Sequence, residues 1–202
     1  MTYELLELEK KSNGIVIMRL KQIIFNQKFV RELNAALDEL EKIEGQLALI
    51  TTSTHKKIYS AGLDFKVFDA HFGDTYGFIC EFCRFLGRFM RLGFPTIAAM
   101  DGHCHAGGFM FAMAHDYRLF REKGVTMSMS EIKLNIPIPK NMMGPLLAKM
   151  KKPALREICL FGEKMAGPKL LHYEIVGFIY PCLLYTSPSP RDLSTSRMPS
   201  SA

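Results

Sequence analysis

TIAAMDGHCHAGGFMFAMAHD, residues Thr96 to Asp116, is the stretch whose reading decides the fold. TIAAM is a short apolar run rich in strand formers, and DGHCH is turn-like. Ala106-Gly107-Gly108 then opens FMFAMAH, which reads as a buried helix. Two adjacent glycines at the mouth of a helix allow another group to come close. The first N–H groups of a helix have no intrahelical acceptor and sit at the positive end of its dipole. Such a terminus holds an anion or a developing oxyanion. The competing reading is a glycine turn that only lets strand and helix pack tightly.

Working outward, the same alternation recurs. Upstream, Asp74–Leu92 is a helix with Phe78, Phe82, Phe85, Phe89 and Leu92 on one face, a stripe that reads as core. Gly93-Phe94-Pro95 breaks it. Leu47–Thr52 is a buried strand, and Gln27–Glu44 is an amphipathic helix stopped at Gly45. Leu5–Glu9 and Ile15–Leu20 form a hairpin around Asn13-Gly14, because Asn-Gly supplies the positive φ angles of a tight turn. Downstream, Tyr117–Phe120 and Thr126–Ser130 are strands, and Lys133–Lys140, with two prolines, is extended or loop. Asn141–Met150, Pro153–Leu160 and Gly167–Tyr173 are short helices, and Ile175–Ile179 is a last strand. Alternating strands and helices define an α/β protein.

Two further stretches narrow this to a family. Ser60-Ala61-Gly62-Leu63-Asp64-Phe65 forms a sharp turn after the Leu47–Thr52 strand, and MSEIKLNIPIP runs from Met129 to Pro139. SAGLDF, DGHCHAGGFMFAMAHDYR and MSEIKLNIPIP, in this order and with these separations, resemble the enoyl-CoA hydratase/isomerase (crotonase) superfamily. Within it the chain is most similar to plant-type delta(3)-delta(2)-enoyl-CoA isomerases. The resemblance runs from about Gly14 to about Tyr180. It implies a fold that periodicity alone does not give: β-β-α units wound into a spiral, with a buried helix starting at an oxyanion site.

The resemblance also implies a chemistry. Shifting a double bond from the 3- to the conjugated 2-position of an enoyl thioester removes an α-proton and returns it two carbons away, through an enolate. That needs donors for the thioester oxygen and one proton-shuttling base. On the family's motifs the donors are the backbone N–H groups of Leu63 and Gly107, and the base is Glu131, here at a strand end. Met129, Ile132 and Met142 are the apolar neighbours expected to desolvate it and raise its pKa. Ala61, Gly62, Leu63, Asp64 and Phe65, with Gly107 and Gly108, are expected around the thioester arm, and Lys66 near the nucleotide of coenzyme A. Hydratases of the superfamily carry a glutamate where this chain has Met110. One carboxylate in an apolar pocket suits a proton shuttle and disfavours adding water. His103, His105 and His115 read as packing or turn residues. Two alternatives stay open: another crotonase reaction such as acyl-CoA thioester hydrolysis, and a non-catalytic domain that only binds acyl-CoA.

Composition bounds the rest. With 202 residues, 48% hydrophobic and 23% charged, the chain suits one globular domain, expected over residues 1–180. No apolar run is long enough to span a membrane. The net charge of +6 allows a phosphate-binding patch, but no basic-aromatic motif points to nucleic acid. The five cysteines suggest reduced thiols. Cys80 and Cys83 fit the buried face of a helix, so no metal site is expected with His103-Cys104-His105. No cofactor is implied beyond coenzyme A as part of the substrate. From Pro181 the composition turns Ser- and Pro-rich, so residues 181–202 are expected to be a disordered, non-native tail. Family members usually continue there with helices that complete the acyl pocket and the subunit contacts, so the family's homotrimer is an expectation with a gap. The resemblance implies a peroxisomal location, with mitochondrion or cytosol as alternatives.

Overall fold

The computed structural model describes residues 2–64, 66 and 72–181. Phe65 and the tail beyond Pro181, on which two of the sequence expectations fall, lie outside the described residues. The chain opens with a hairpin of β1 (Leu6–Lys10) and β2 (Ile15–Leu20), turning at Gly14 with φ 79°. It then repeats one pattern. A strand joins a six-stranded sheet, a short strand steps sideways into a smaller sheet, and a helix returns the chain.

The first turn is β2, β3 (Ile24–Phe25) and α1 (Gln27–Leu40). The second is β4 (Ala48–Ser53), β5 (Ile58–Ser60), β6 (Gly62–Leu63) and α2 (Phe72–Phe89). The third is β7 (Thr96–Met100), β8 (His103–His105) and α3 (Gly107–Ala114). A fourth begins with β9 (Tyr117–Arg121) and β10 (Met127–Ser128). The large sheet has the order β1-β2-β4-β7-β9-β11, where β11 is Phe178–Tyr180, and only the β1–β2 pair is antiparallel. The small sheets are β10-β8-β5 and β3-β6, all parallel. This is an α/β spiral of β-β-α turns.

Burial follows the sequence pattern where a helix or strand has one inner face. Asn26 caps α1 by accepting from Phe29 N at 2.9 Å. The α1 residues Phe29, Val30, Leu33, Ala36, Leu37 and Leu40 are buried. Helix α3 has no outer face, and all eight of its residues are buried. Phe111 packs on Phe25, Phe85 and Phe89 at ring-centroid distances of 5.0–5.5 Å.

Several elements depart from expectation. DGHCH is a bend followed by strand β8, because parallel neighbours on both sides pair with it. Gly102 makes that close pairing possible: a Cβ there would lie 2.4 Å from Ile58 N. Helix α1 stops at Leu40, before Gly45, whose φ of 94° turns the chain toward β4. Strand β10 ends at Ser128, and Glu131–Leu134 is a 3-10 turn closed by Asn135 at φ 55°. Helix α4 (Gly144–Lys149) follows a 3-10 turn at Lys140–Met143. Helix α5 (Lys152–Leu155) continues as a π-helical turn at Arg156–Leu160. Helix α6 (Gly167–His172) leads to β11, while Ile175 and Val176 are core residues rather than strand. Cys104 is buried in the core, whereas Cys80 and Cys83 are only half-buried on α2.

Candidate active site

A cavity of about 270 Å³ opens where the second and third turns of the spiral meet the start of the fourth. One wall is made of backbone. Ala61 and Leu63 come from the turn around β6, and Ala106 and Gly107 from the mouth of α3. These two segments touch because glycine lets them. A Cβ on Gly62, whose φ is 104°, would meet Ala106 Cβ at 2.8 Å and Gly107 N at 3.0 Å. A Cβ on Gly107 would lie 3.3 Å from Leu63 N. Gly108 stands behind the wall, where a Cβ would meet Ser60 Cβ at 2.5 Å.

Gly107 is the first residue of α3, so its N–H has no acceptor within the helix. Ala106 precedes it at φ 51°, an uncommon angle for a residue with a side chain. Its N–H donates to Ser128 O at 2.9 Å, and its carbonyl accepts from Met110 N at 3.1 Å. The far end of α3 is held as firmly. Arg118 and Lys149 both donate to His115 O, at 2.5 and 2.6 Å, and place cations where the helix dipole is negative. His115 Nδ1 donates to Phe111 O at 2.8 Å, since a carbonyl can only accept. Its Nε2 therefore accepts from Thr51 Oγ1 at 2.7 Å, and Thr51 accepts from the Tyr59 hydroxyl at 2.7 Å. Burial holds His115 neutral, with its pKa lowered to about 3.

The opposite wall carries Glu131. The turn Glu131–Leu134 places it on the cavity with Ser130. Glu131 Oε2 is buried and has no hydrogen-bond partner among the described residues. Burial raises its pKa, opposed only by its own backbone N–H. A carboxylate short of hydrogen bonds in an apolar setting is a stronger base than one in water. The lining around it is apolar: Ile79, Met110, Leu134, Ile136, Ile138 and Met142. Ile132, expected among the desolvating neighbours, is 50% exposed and does not line the cavity. Its outward direction follows from the 3-10 turn, which brings Leu134 to the cavity instead.

The structure thus brings Ala61, Leu63, Gly107, Met110 and Glu131 to one cavity. Gly62 and Gly108 support the wall without lining it. Asp64 does not line the cavity; its N–H donates to Phe25 O at 2.9 Å and its side chain accepts from Lys66 N at 3.1 Å. Lys66 is exposed and also outside the lining. Sequence reasoning missed His105, Ser128 and Lys164, which supply polar lining. Reading HCH as a strand puts His105 on the face opposite buried Cys104, and that alternation was the available signal.

Comparison with known proteins gives the family and the fold. Residues 10–182 match the enoyl-CoA hydratase/isomerase family, and the chain belongs to it. Enoyl-CoA delta isomerase 3 of Arabidopsis thaliana is 29% identical, over 75% of this chain and 66% of that protein. A Mycobacterium bovis protein carrying an enoyl-CoA hydratase name is 27% identical over 90% of this chain and 70% of its own length. Other relatives carry peroxisomal and mitochondrial isomerase names. The chain spans about two thirds of the length of the curated relatives it matches. Among solved structures, the fold superposes on an enoyl-CoA hydratase from Geobacillus kaustophilus with a TM-score of 0.81 at 22% identity, covering 90% of this chain and 70% of that one.

Proposed function

We propose that the chain is an enoyl-CoA isomerase that moves a 3-enoyl-CoA double bond to the conjugated 2-position. The observation that carries this reading is the buried, unpartnered Oε2 of Glu131 on a cavity whose other wall is the Leu63–Gly107 backbone. In this reading residues 1–180 form the acyl-CoA-binding domain. The thioester oxygen lies toward the N–H groups of Leu63 and Gly107. Glu131 removes a proton from the α-carbon, and the electron pair moves onto the thioester oxygen as the enolate forms. The same carboxyl group then returns the proton to the γ-carbon, as the double bond settles between the α- and β-carbons. No proton or electron is left over.

Each backbone donor contributes about 3 kcal/mol to the transition state, because its direction is fixed before reaction. Met110 fills the cavity wall where the family's hydratases place a second carboxylate, and a thioether cannot activate water. The isomerase relatives support the reading, and the peroxisomal names among them support placing it in peroxisomal oxidation of unsaturated acyl chains. The test is Glu131→Gln, which keeps shape but cannot accept the proton. Turnover of a 3-enoyl-CoA should fall by several orders of magnitude while acyl-CoA binding persists. A Gln variant as fast as the parent would remove Glu131 from the mechanism. A parent that binds acyl-CoA without turnover would favour a binding domain instead.

A further inference from the structure

The mechanism above leaves His105 and Ser128 unused, although both line the cavity. They face each other across the β8–β10 ladder, where Ser128 pairs with His105 in register. Ser128 Oγ lies 2.8 Å from His105 Nδ1, and Ser128 is only 1% exposed. The tautomer follows from satisfaction of the buried hydroxyl. If Nδ1–H donated to Oγ, the Ser128 hydroxyl proton would be left without an acceptor, at the full desolvation penalty. The hydroxyl therefore donates to Nδ1, and the ring proton sits on Nε2. Nε2 has no hydrogen-bond partner among the described residues, and Glu131 Oε2 is not hydrogen-bonded to it. The imidazole is neutral near pH 7, since burial, then His103 and Lys164, lower its pKa to about 4. The Lys164 ammonium also borders the cavity.

We propose that His105, fixed by Ser128, presents its Nε2–H as a specificity donor, selecting acyl thioesters whose chain carries a hydrogen-bond-accepting oxygen. The inference rests on the reading of this cavity as the acyl-thioester site. Apart from Ser128, Ser130, Glu131 and Lys164 the rest of the lining is apolar, so a plain hydrocarbon chain would strip water from Nε2–H and return nothing. A site built to hydrogen-bond an oxygen discriminates strongly against the analogue that lacks it, whereas an added or missing methylene changes little. Ser128 acts through His105: it sets the tautomer and ring orientation and is a positioning residue.

The test uses the whole chain and unreactive ligands. Saturated acyl-CoA thioesters of one chain length, plain or hydroxylated at successive carbons from the fourth outward, are titrated by calorimetry. At least one hydroxylated chain should bind about tenfold or more tightly than the plain one. That ratio should collapse to about one in His105→Leu, remain partly in His105→Gln, which keeps an N–H donor, and shrink in Ser128→Ala. A parent with no preference at any position overturns the proposal, as does a ratio that survives in His105→Leu. Loss of the isomerase reading would look different: the binding ratio would stand while 3-enoyl-CoA was not converted.

Discussion

The backbone wall and the glutamate wall of the cavity are held in place by different means. At the first, two chain segments are pressed together through glycines. A single added Cβ at Gly62, Gly107 or Gly108 would meet a neighbour at 2.5–3.1 Å. Behind it, α3 is wholly buried and anchored at its far end by Arg118, Lys149 and His115. At the second, Glu131 sits in a 3-10 turn with no buried residue of its own, beside half-exposed Ile132 and Leu134. Close packing through these glycines leaves the Leu63 and Gly107 backbone little room to shift. Glu131 Oε2 is left without a hydrogen bond among the described residues, which costs stability but raises basicity. Substitutions at the two walls should therefore move stability in opposite directions.

At the backbone wall the largest effect is expected from Gly107. Gly107→Pro removes one N–H and distorts the helix mouth, so turnover should fall at least a hundredfold, the equivalent of about 3 kcal/mol. An unchanged rate would mean that the α3 terminus does not hold the oxyanion. Gly62→Ala should cost about 2–3 kcal/mol in a denaturant titration, from the positive φ and the contact with Ala106. His115→Ala should cost about 2 kcal/mol, since it removes the acceptor of Thr51 and the donor to Phe111 O at once.

The smallest effect has the opposite sign. Glu131 has a raised folded-state pKa, so its protonated form stabilises the fold below the unfolded pKa. That contribution is lost as pH rises through the folded pKa. Glu131→Gln, which never ionises, should be more stable than the parent at neutral pH, with the gain vanishing in acid. The parent's rate should fall as acid protonates Glu131, at a pH above that of an ordinary carboxylate. A Gln variant less stable than the parent at neutral pH would contradict the picture of an under-hydrogen-bonded base.

These two walls also differed in how far the sequence revealed them. The strand at Thr96–Met100, the helix after it, the paired glycines and the apolar stripe of α2 were legible, because hydrophobic period and glycine chemistry act locally. The glutamate wall was legible only as a motif. Nothing local says that β10 stops at Ser128 or that a 3-10 turn sets Leu134, and not Ile132, on the cavity. Those features depend on where the neighbouring strand ends and on the Gly162 region packing against Ile132 and Lys133. His105 escaped for a related reason: a histidine in a Gly-flanked turn looks like a loop residue until parallel strands are laid on either side of it.

In the proposed mechanism, one carboxylate facing a backbone donor pair isomerises without hydrating. The direct measurement is product analysis after the 202-residue chain is incubated with a 3-enoyl-CoA. Conjugated 2-enoyl-CoA with no 3-hydroxyacyl-CoA is the expected product. Accumulation of the 3-hydroxyacyl product, or release of free coenzyme A in its place, would contradict it.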